Sequence, residues 1–478
     1  MIPVLLLLIP AVTGLLSFFI PNAKGAKAWA LISSLATLIV ALSGICTHRV
    51  TGTSIDASWL PVLGSRFSLS MDGMARMLCA LTAIAFPLVF GATYKNEYNK
   101  AGSFYGLMLL LQAGLMGVFL ASDALLFYFF WEFALIPAYF LCSMWGGEKR
   151  IAVTFKFFVY TFVGSLLMLV GIIYLHSKTE DASFSIQAFY HVKLSLSEQI
   201  WLFWAFFTAF AIKMPIFPFH TWQPDTYEQS PTAVTMILSG VMVKMGLYAV
   251  IRWVLPVFPQ AVAKFDHLVI ILSVIGILYA SLIAIRQDDI KRLIAYSSIG
   301  HIGLMAAAIF ANQQVGLQGV MVQMFNHGIN VIGLWIVADA VEQQLGTRKF
   351  SQLGGLAQKA PGLAILLVVM AFANIALPLT NAFVGEFMMF NGLFRYNIWI
   401  AAVAGISIIL AAVYTLGMVQ KVFYGNTVPA TENAVDSSFN IKLVLVILAV
   451  GIIVLGVYPQ PVIHLTNDTV QAVLTKIP

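Results

Sequence analysis

The sequence predicts an all-α polytopic membrane protein of about 14 transmembrane helices, with two inverted five-helix repeats and broken helices 7 and 12. Three observations support this prediction: the composition, the series of hydrophobic segments, and an ionisable residue beside a proline in two of those segments. Of the 478 residues, 60% are hydrophobic and 10% are charged, whereas soluble domains carry about 25% charged residues. We therefore expect a single membrane domain over residues 1–478 that contacts the lipid bilayer.

The hydrophobic segments are long enough to cross the hydrocarbon core, which takes roughly 20 helical residues. Their predicted limits are 3–20, 27–47, 74–93, 104–121, 123–145, 153–176, 200–218, 232–254, 266–286, 293–311, 315–339, 361–393, 397–421 and 441–459. The first segment lacks a basic start and a small-residue cleavage site, so we interpret it as a spanning helix and not as a signal peptide.

Lysine and arginine are distributed unevenly between the loops. Loops after odd-numbered segments hold 14 of them, and loops after even-numbered segments, with the C-terminus, hold 8. The positive-inside rule then predicts that the odd-numbered loops are cytoplasmic and that both termini lie on the non-cytoplasmic side. The net charge of +6 follows from these loops, so it reports topology, and no nucleic-acid partner is expected.

Two segments are irregular and lie five segments apart. Segment 7 contains Pro215 and Pro218, and Leu377-Pro378 splits segment 12. Broken helices at matching places in two halves are typical of an internal repeat with an ion site in each half. Because five is odd, the second copy would be inverted. The predicted halves are residues 104–254, for segments 4–8, and residues 266–421, for segments 9–13.

Lys213 is the most informative single residue, because it is a lone cation at the end of a long apolar run and two residues before Pro215. A charge near the bilayer centre costs several kcal/mol unless it faces a partner or water. Backbone interrupted by proline is tolerated at that depth only where protein or a cavity covers it. We therefore interpret Lys213 as a group in an ion path.

Six titratable residues occur on six different hydrophobic segments: Glu132, Lys213, Lys244, His301, His327 and Glu386. A lone intramembrane histidine is as often a packed, hydrogen-bonded residue, and a Glu132–Lys213 pair would also serve as a static tie. The whole set exceeds what packing requires. Burial and a nearby carboxylate act in opposite directions on a lysine's affinity for its proton, and histidines titrate near about pH 6.5. We predict a proton row Lys213–Lys244–His301–His327–Glu386 bridged by water, with Glu132 as the switch on Lys213.

Cofactor motifs are not found in the sequence. Cys46, Cys79 and Cys142 are scattered, so no iron–sulfur or zinc site is expected. Neither a G-x-G-x-x-G nor a Walker motif occurs. We expect no cofactor and no metal in this chain.

Several motifs carry a resemblance to a known family over nearly the whole chain. They are Phe130-Trp131-Glu132, Lys213-Met-Pro-Ile-Phe-Pro-Phe-His220-Thr-Trp222-Gln-Pro224-Asp225, Ser230-Pro231-Thr232, Lys244-Met-Gly-Leu-Tyr248, Asp289-Ile-Lys291-Arg292-Leu-Ile-Ala-Tyr296-Ser-Ser298 and Phe383-Val-Gly-Glu386-Phe. With them the chain resembles the antiporter-like membrane subunits of respiratory complex I, and the M-type subunits in particular.

The resemblance implies a proton-translocating subunit of an NADH:quinone oxidoreductase in a bacterial-type inner membrane. It pairs Glu132 with Lys213, makes Lys244 the central lysine, and makes His301 and His327 relays. It makes Glu386 the exit residue, where M-type subunits carry glutamate and L- and N-type subunits carry lysine. The implied partners are L- and N-type subunits, and flavin and iron–sulfur clusters are expected in partner subunits.

The chain departs from the family pattern at a few positions. Gln223 stands where leucine is usual, Asp225-Thr-Tyr227 replaces Asp-Ala-His, and Leu379-Thr-Asn-Ala382 replaces a Gly- and Ser-rich turn. A subunit of a multisubunit cation/proton antiporter is the alternative function, although Glu386 disfavours it. A passive scaffold is a third reading, and nothing in the sequence supports quinone reduction by this chain itself.

Overall fold

A computed structural model describes residues 1–46 and 53–476. The described residues exclude 47–52 and 477–478. The predicted end of the second segment at residue 47, and Arg49, therefore lie outside them. The helices are α1 (Ile2–Ser17), α2 (Ala23–Cys46), α3 (Gly73–Ala92), α4 (Ala101–Leu120), α5 (Ala124–Trp145), α6 (Arg150–Lys178), α7 (Ile186–His191), α8 (Leu196–Lys213), α9 (Gln223–Gln229), α10 (Thr232–Ile237), α11 (Lys244–Ala249), α12 (Leu255–Val257), α13 (Pro259–Ile285), α14 (Ile290–Phe310), α15 (Gln314–Leu345), α16 (Pro361–Asn374), α17 (Asn381–Tyr396), α18 (Ile398–Phe423), α19 (Phe439–Val457) and α20 (Gln460–Leu474).

The predicted all-helical membrane fold is confirmed, and every predicted segment overlaps a described helix. Among the described residues, 11 helices or helical runs have the length and apolar composition to cross a membrane. They differ in burial: α15 is 94% buried over its most apolar stretch, whereas α18 is 22% buried. The chain is therefore a multi-pass membrane protein in which a few central helices are enclosed by lipid-facing ones.

Both irregular segments break close to the predicted prolines. In segment 7, α8 ends at Lys213, two residues before Pro215. The indole Nε1 of Trp222 donates to the Ile212 carbonyl at 2.9 Å, so a side chain from beyond the break satisfies a carbonyl that the helix leaves unpaired. In segment 12, α16 ends at Asn374 and α17 begins at Asn381.

The helical run Thr232–Val257 is 100% buried over its most apolar stretch and contains two π-helical turns that the sequence did not predict. They cover Leu238–Met242 and Val250–Val254. Single π turns often mark functional positions, because they displace carbonyls from the α-helical ladder. Gly246, between these turns, faces the end of α8: a Cβ there would lie 2.7 Å from the Phe210 carbonyl oxygen. Only glycine allows the two backbones to approach so closely.

The structure adds elements that hydropathy did not predict. Strands β1 (Ser54–Leu60) and β2 (Ser65–Ser70) form an antiparallel hairpin. The hairpin, α7 and α20 all belong to the loops after even-numbered segments or to the C-terminal region. They lie opposite the face formed by the loops after odd-numbered segments, which we call the cation-rich face.

Candidate functional site

Lys213 lies at the C-terminal end of α8 and is 1% exposed. Its ammonium faces the rings of Trp131 on α5 and Phe157 on α6, with Nζ 5.5 Å and 5.9 Å from the ring centroids. Its Nζ has no hydrogen-bond partner within the described part of the chain. A helix C-terminus and aromatic faces both favour a cation, so the lysine is held by diffuse attraction and not by a fixed bond.

Glu132 lies on α5 next to Trp131, and its carboxylate lies near the Lys213 ammonium and the Ser165 hydroxyl, although that hydroxyl donates its own hydrogen bond to the Phe162 carbonyl. The two charged groups nevertheless make no direct ion pair among the described residues, and one carboxylate oxygen is buried without a partner. The pairing that the family resemblance implies therefore stays a prediction, because the two groups interact electrostatically without making contact.

Lys244 is 0% exposed and is held by two hydrogen bonds. Its Nζ donates to the Ser239 carbonyl at 2.7 Å and lies 2.8 Å from His327 Nδ1. The π turn explains the first bond. The Val243 amide donates to Leu238, five residues back, so the Ser239 carbonyl lies outside the usual α-helical ladder and is available to the ammonium.

His327, His301 and Glu386 continue the row from Lys244. The rings of His327 and His301 have centroids 5.5 Å apart. His301 Nδ1 lies 3.0 Å from Glu386 Oε1, and Gln323 Nε2 donates to the same oxygen at 3.3 Å. The predicted order of the two histidines is wrong: His327 contacts Lys244, and His301 contacts Glu386. The sequence did not reveal this order because the histidines are on different helices.

A small cavity of about 20 Å³ lies beside Glu386 and His301, with Ser407 and Tyr414 in its wall. This volume is enough for about one water molecule. Tyr414 continues the polar path, since its hydroxyl lies 3.0 Å from Ser297 Oγ. The row from Lys244 therefore ends at a cavity large enough for a water molecule, and not at closed apolar packing.

The structure thus brings four of the six predicted residues into one series of contacts and leaves Glu132 and Lys213 outside it. Lys244, His327, His301 and Glu386 form one series of contacts, whereas Lys213 makes no direct contact with Lys244 among the described residues. Gln323 belongs to the row but was missed by sequence reasoning. The sequence does contain a signal for Gln323: it precedes His327 by four residues on α15, and residues at that spacing share a helix face.

A network of seven ion pairs lies on the cation-rich face, and three of them link the two predicted halves: Arg292–Asp225, Arg292–Glu228 and Arg348–Glu228. Arg292 of α14 contacts Asp225 and Glu228 at 3.2 Å and 2.8 Å. Arg348 contacts Glu228 at 2.9 Å and Glu342 at 3.0 Å. The series also includes Lys156–Asp225, Lys291–Glu342 and Arg348–Asp289. Burial alone would lower the pKa of Arg348, but the carboxylates around it raise this pKa above its ordinary value. The loop after the first broken helix is thereby anchored to the second half.

The three cysteines are not paired: Cys79 and Cys142 are buried, and Cys46 is exposed. Across residues 1–46 and 53–476, no group of three His, Cys, Asp or Glu side chains is arranged to hold a metal ion. The arrangement of titratable groups is suited to moving protons.

Known proteins resemble this chain along most of its length. The family described as NADH:quinone oxidoreductase/Mrp antiporter, transmembrane, matches residues 121–411. NADH-quinone oxidoreductase subunit M from Rhodobacter capsulatus is 35% identical over 466 residues, which cover 94% of this chain and 90% of that protein. A chain of respiratory complex I from Thermus thermophilus with bound NADH has a TM-score of 0.92 and 28% identity, with 100% of both chains covered. A chain of the Mrp complex from Dietzia sp. DQ12-45-1b shares the fold alone, with a TM-score of 0.87, 19% identity and 99% of each chain covered.

Proposed function

The chain belongs to the family of NADH:quinone oxidoreductase and Mrp antiporter membrane subunits, and on this premise we propose that it is the proton-translocating M-type subunit of an NADH:quinone oxidoreductase. The series of contacts Lys244–His327–His301–Glu386 is the observation that carries this proposal. Ionisable residues inside a membrane protein are costly and typically mark ion or proton pathways, and here four of them from four helices are buried in one series of contacts. The chain acts as part of a translocase whose electron transfer takes place in other subunits.

The proton moves along this row in short steps. A proton leaves Lys244 Nζ for His327 Nδ1 across 2.8 Å. One further relay step, through a water molecule or a ring rotation, joins the histidine rings, whose centroids are 5.5 Å apart. His301 then passes the proton to Glu386 Oε1 across 3.0 Å. Glu386 releases it into the cavity that it shares with Tyr414.

Glu132 controls Lys213 by changing its distance from the ammonium. When the carboxylate approaches, it stabilises the charged lysine. When it withdraws, only the aromatic rings and the helix end remain, and these are weaker than a contact ion pair in an apolar interior. Lys213 then releases its proton toward Lys244, and the row is loaded.

We further propose that about 14 helices cross the membrane, with residues 104–254 and 266–421 as inverted repeats. Matching backbone bridges support this arrangement. Asp123 bridges Ser185, and Asp289 bridges Lys349. Each aspartate caps the helix that begins one residue later, α5 or α14. The first bridge lies on the face opposite the cation-rich face and the second lies on the cation-rich face, as an inverted repeat requires.

The surroundings of the chain follow from the same assignment. The cation-rich face is cytoplasmic and both termini are on the other side of a bacterial-type inner membrane. The partners are the remaining membrane subunits of the complex, especially L- and N-type antiporter-like subunits. This chain holds no redox centre, and the flavin and iron–sulfur clusters belong to partner subunits.

The alternative function is that of a subunit in a multisubunit cation/proton antiporter. The matching family, whose description also names the Mrp antiporter, supports this alternative, and glutamate at position 386 disfavours it. Purification of the tagged chain separates the two functions. Flavin and iron–sulfur subunits in the purified complex support the redox-driven pump, whereas membrane subunits alone support the antiporter.

The decisive test compares NADH-driven proton uptake in inverted membrane vesicles that carry wild type, Lys213→Ala or the matched control Lys193→Ala. Lys193 is an exposed lysine outside the helices, so its removal should change nothing. At equal amounts of assembled complex, Lys213→Ala should lose most proton uptake and most NADH oxidation. Wild-type rates in Lys213→Ala would contradict the assigned role and favour a passive scaffold.

A further inference from the structure

The cation-rich face contains a polar cavity of about 1260 Å³. Residues from the loops after segments 1, 3, 5, 7, 9 and 11 meet in its walls, among them Asn96, Glu97, Thr232, Lys291 and Asp339. A cavity of this size admits bulk water. Water therefore enters the protein from the side that we assign to the cytoplasm and reaches the groups that line this cavity.

Asp339, on α15, lies at the boundary between this cavity and the packed interior. It is 5% exposed, and its carboxylate accepts a hydrogen bond from Asn96 Nδ2 at 3.0 Å. Its other polar neighbours are the Thr232 hydroxyl, the Lys291 ammonium and the Glu342 carboxylate, with the Tyr98 phenol also facing it. Lys291 is already paired with Glu342 at 2.5 Å. The carboxylate is thus held in place without a direct ion pair of its own among the described residues.

A file of hydroxyl groups leads inward from Thr232 along the helical run that carries Lys244. Thr232, Thr235 and Ser239 are buried and follow at spacings of three and four residues, which places them on one helix face. The Ser239 hydroxyl donates to the Thr235 carbonyl at 2.8 Å, and the Ser239 carbonyl accepts from Lys244 Nζ at 2.7 Å. Twelve residues of helix span about 18 Å. The Thr235 hydroxyl likewise donates to the backbone carbonyls of Tyr227 and Pro231. The hydroxyl oxygens keep acceptor capacity for water, so the file can order water molecules that pass a proton along it.

We propose that Asp339 is a proton-collecting residue and that water molecules ordered along the hydroxyl file Thr232–Thr235–Ser239 conduct its protons to Lys244. This inference rests on the proposed function and adds a path from the cytoplasmic water to the central lysine. A carboxylate at the mouth of the path takes protons from water and from buffer, and releases them one at a time to the water beside Thr232. Its contribution is greatest at high pH, where protons are scarce.

The test measures NADH-driven proton uptake in inverted vesicles between about pH 6 and pH 8.5, at equal amounts of assembled complex. Asp339→Asn should slow uptake at least about tenfold at the alkaline end, in line with the usual contribution of a positioned acid–base group, and less at the acid end. Asp339→Glu should restore most of the rate. Thr232→Val should behave like Asp339→Asn, and Thr232→Ser like wild type.

Glu97→Gln is the matched control, because Glu97 is an exposed carboxylate in the same cavity and its variant should keep the wild-type pH profile. An unchanged profile in Asp339→Asn, or equal rates in the Asn and Glu variants, would overturn the inference. A Lys244→Ala arm separates it from the proposed function. If Lys244→Ala stops uptake while Asp339→Asn does not, only the collecting path is wrong. If neither variant alters uptake, the proposed function also fails.

Discussion

The two broken helices place opposite charges at opposite kinds of helix end. Lys213 is the last residue of α8, whereas Glu386 lies in the second turn of α17, after its break. A helix C-terminus favours a cation, so the first break provides an environment of the suitable sign for Lys213. The effect of a helix end fades beyond its first turn, so Glu386 depends more on its side-chain partners.

The two sites differ more sharply in their partners. Glu386 is fixed by His301 at 3.0 Å and by Gln323 at 3.3 Å, whereas Lys213 faces aromatic rings and has no hydrogen-bond partner within the described residues. A fixed carboxylate suits a relay, and a loosely held lysine suits a switch. This difference is the basis for our proposal that control is exerted in the first half and that release takes place in the second.

The largest expected effect comes from Lys244→Met, which removes the link between the two sites. The row from His327 to Glu386 would remain but would receive no proton, because both contacts of the Lys244 ammonium are lost. We expect a fall of about a hundredfold in NADH-driven proton uptake, measured in inverted vesicles with Lys193→Met as the control. Uptake near the wild-type rate would show that the two halves conduct independently.

Lys213→Arg asks whether the first site works by releasing a proton or only by carrying a charge. Arginine keeps the charge and the contact with Trp131, but it does not release its proton in proteins. We expect Lys213→Arg to lose proton uptake about as fully as Lys213→Met, by roughly tenfold or more. If the arginine variant pumps while the methionine variant does not, Lys213 is a static charge and the contrast with Glu386 disappears.

A smaller and graded effect is expected at Glu132. Glu132→Asp keeps a charge that can still act on Lys213, whereas Glu132→Gln keeps the size and loses the charge. Turnover should therefore follow the order wild type, Asp, Gln, with the Gln variant slowed by about tenfold. The measurement is coupled NADH oxidation at matched assembly, with Ser165→Ala as a control for the polar neighbourhood. The reverse ranking of Asp and Gln would mean that side-chain shape, and not charge, matters.

Much of this arrangement could be predicted because lipid imposes strong rules on sequence. A charged residue among apolar ones is rare enough to be noticed, which is how Lys213, Lys244 and Glu386 were found. A proline marks a break wherever it falls inside a spanning segment. Hydropathy and prolines therefore predicted the helices and both interruptions.

The remaining features depend on contacts between helices, which a single sequence does not encode in readable form. The exchange of His301 and His327 in the row is one example, because nothing in either segment tells which one faces Lys244. The π turn at Ser239 is another, since Leu238–Met242 has no proline and only one glycine. Asp339 is a third example, because its position in the sequence does not show that it borders the cavity on the cation-rich face.

Trp222 supplies the smallest expected effect and tests how far the first break depends on a bond that the sequence did not reveal. The Trp222 indole donates to the carbonyl of Ile212, the residue before Lys213, at 2.9 Å. Trp222→Phe removes this donor and keeps an aromatic ring against Phe157. An unpaired buried carbonyl costs about 1–3 kcal/mol. We therefore expect normal assembly and a modestly lower temperature of half-inactivation of NADH oxidation, with proton uptake per NADH unchanged.

Asn374→Leu removes hydrogen bonds to Ser297 and Thr415 at the second break and is the matched variant. If Trp222→Phe altered uptake per NADH and Asn374→Leu did not, the geometry of the first break would itself be part of the switch.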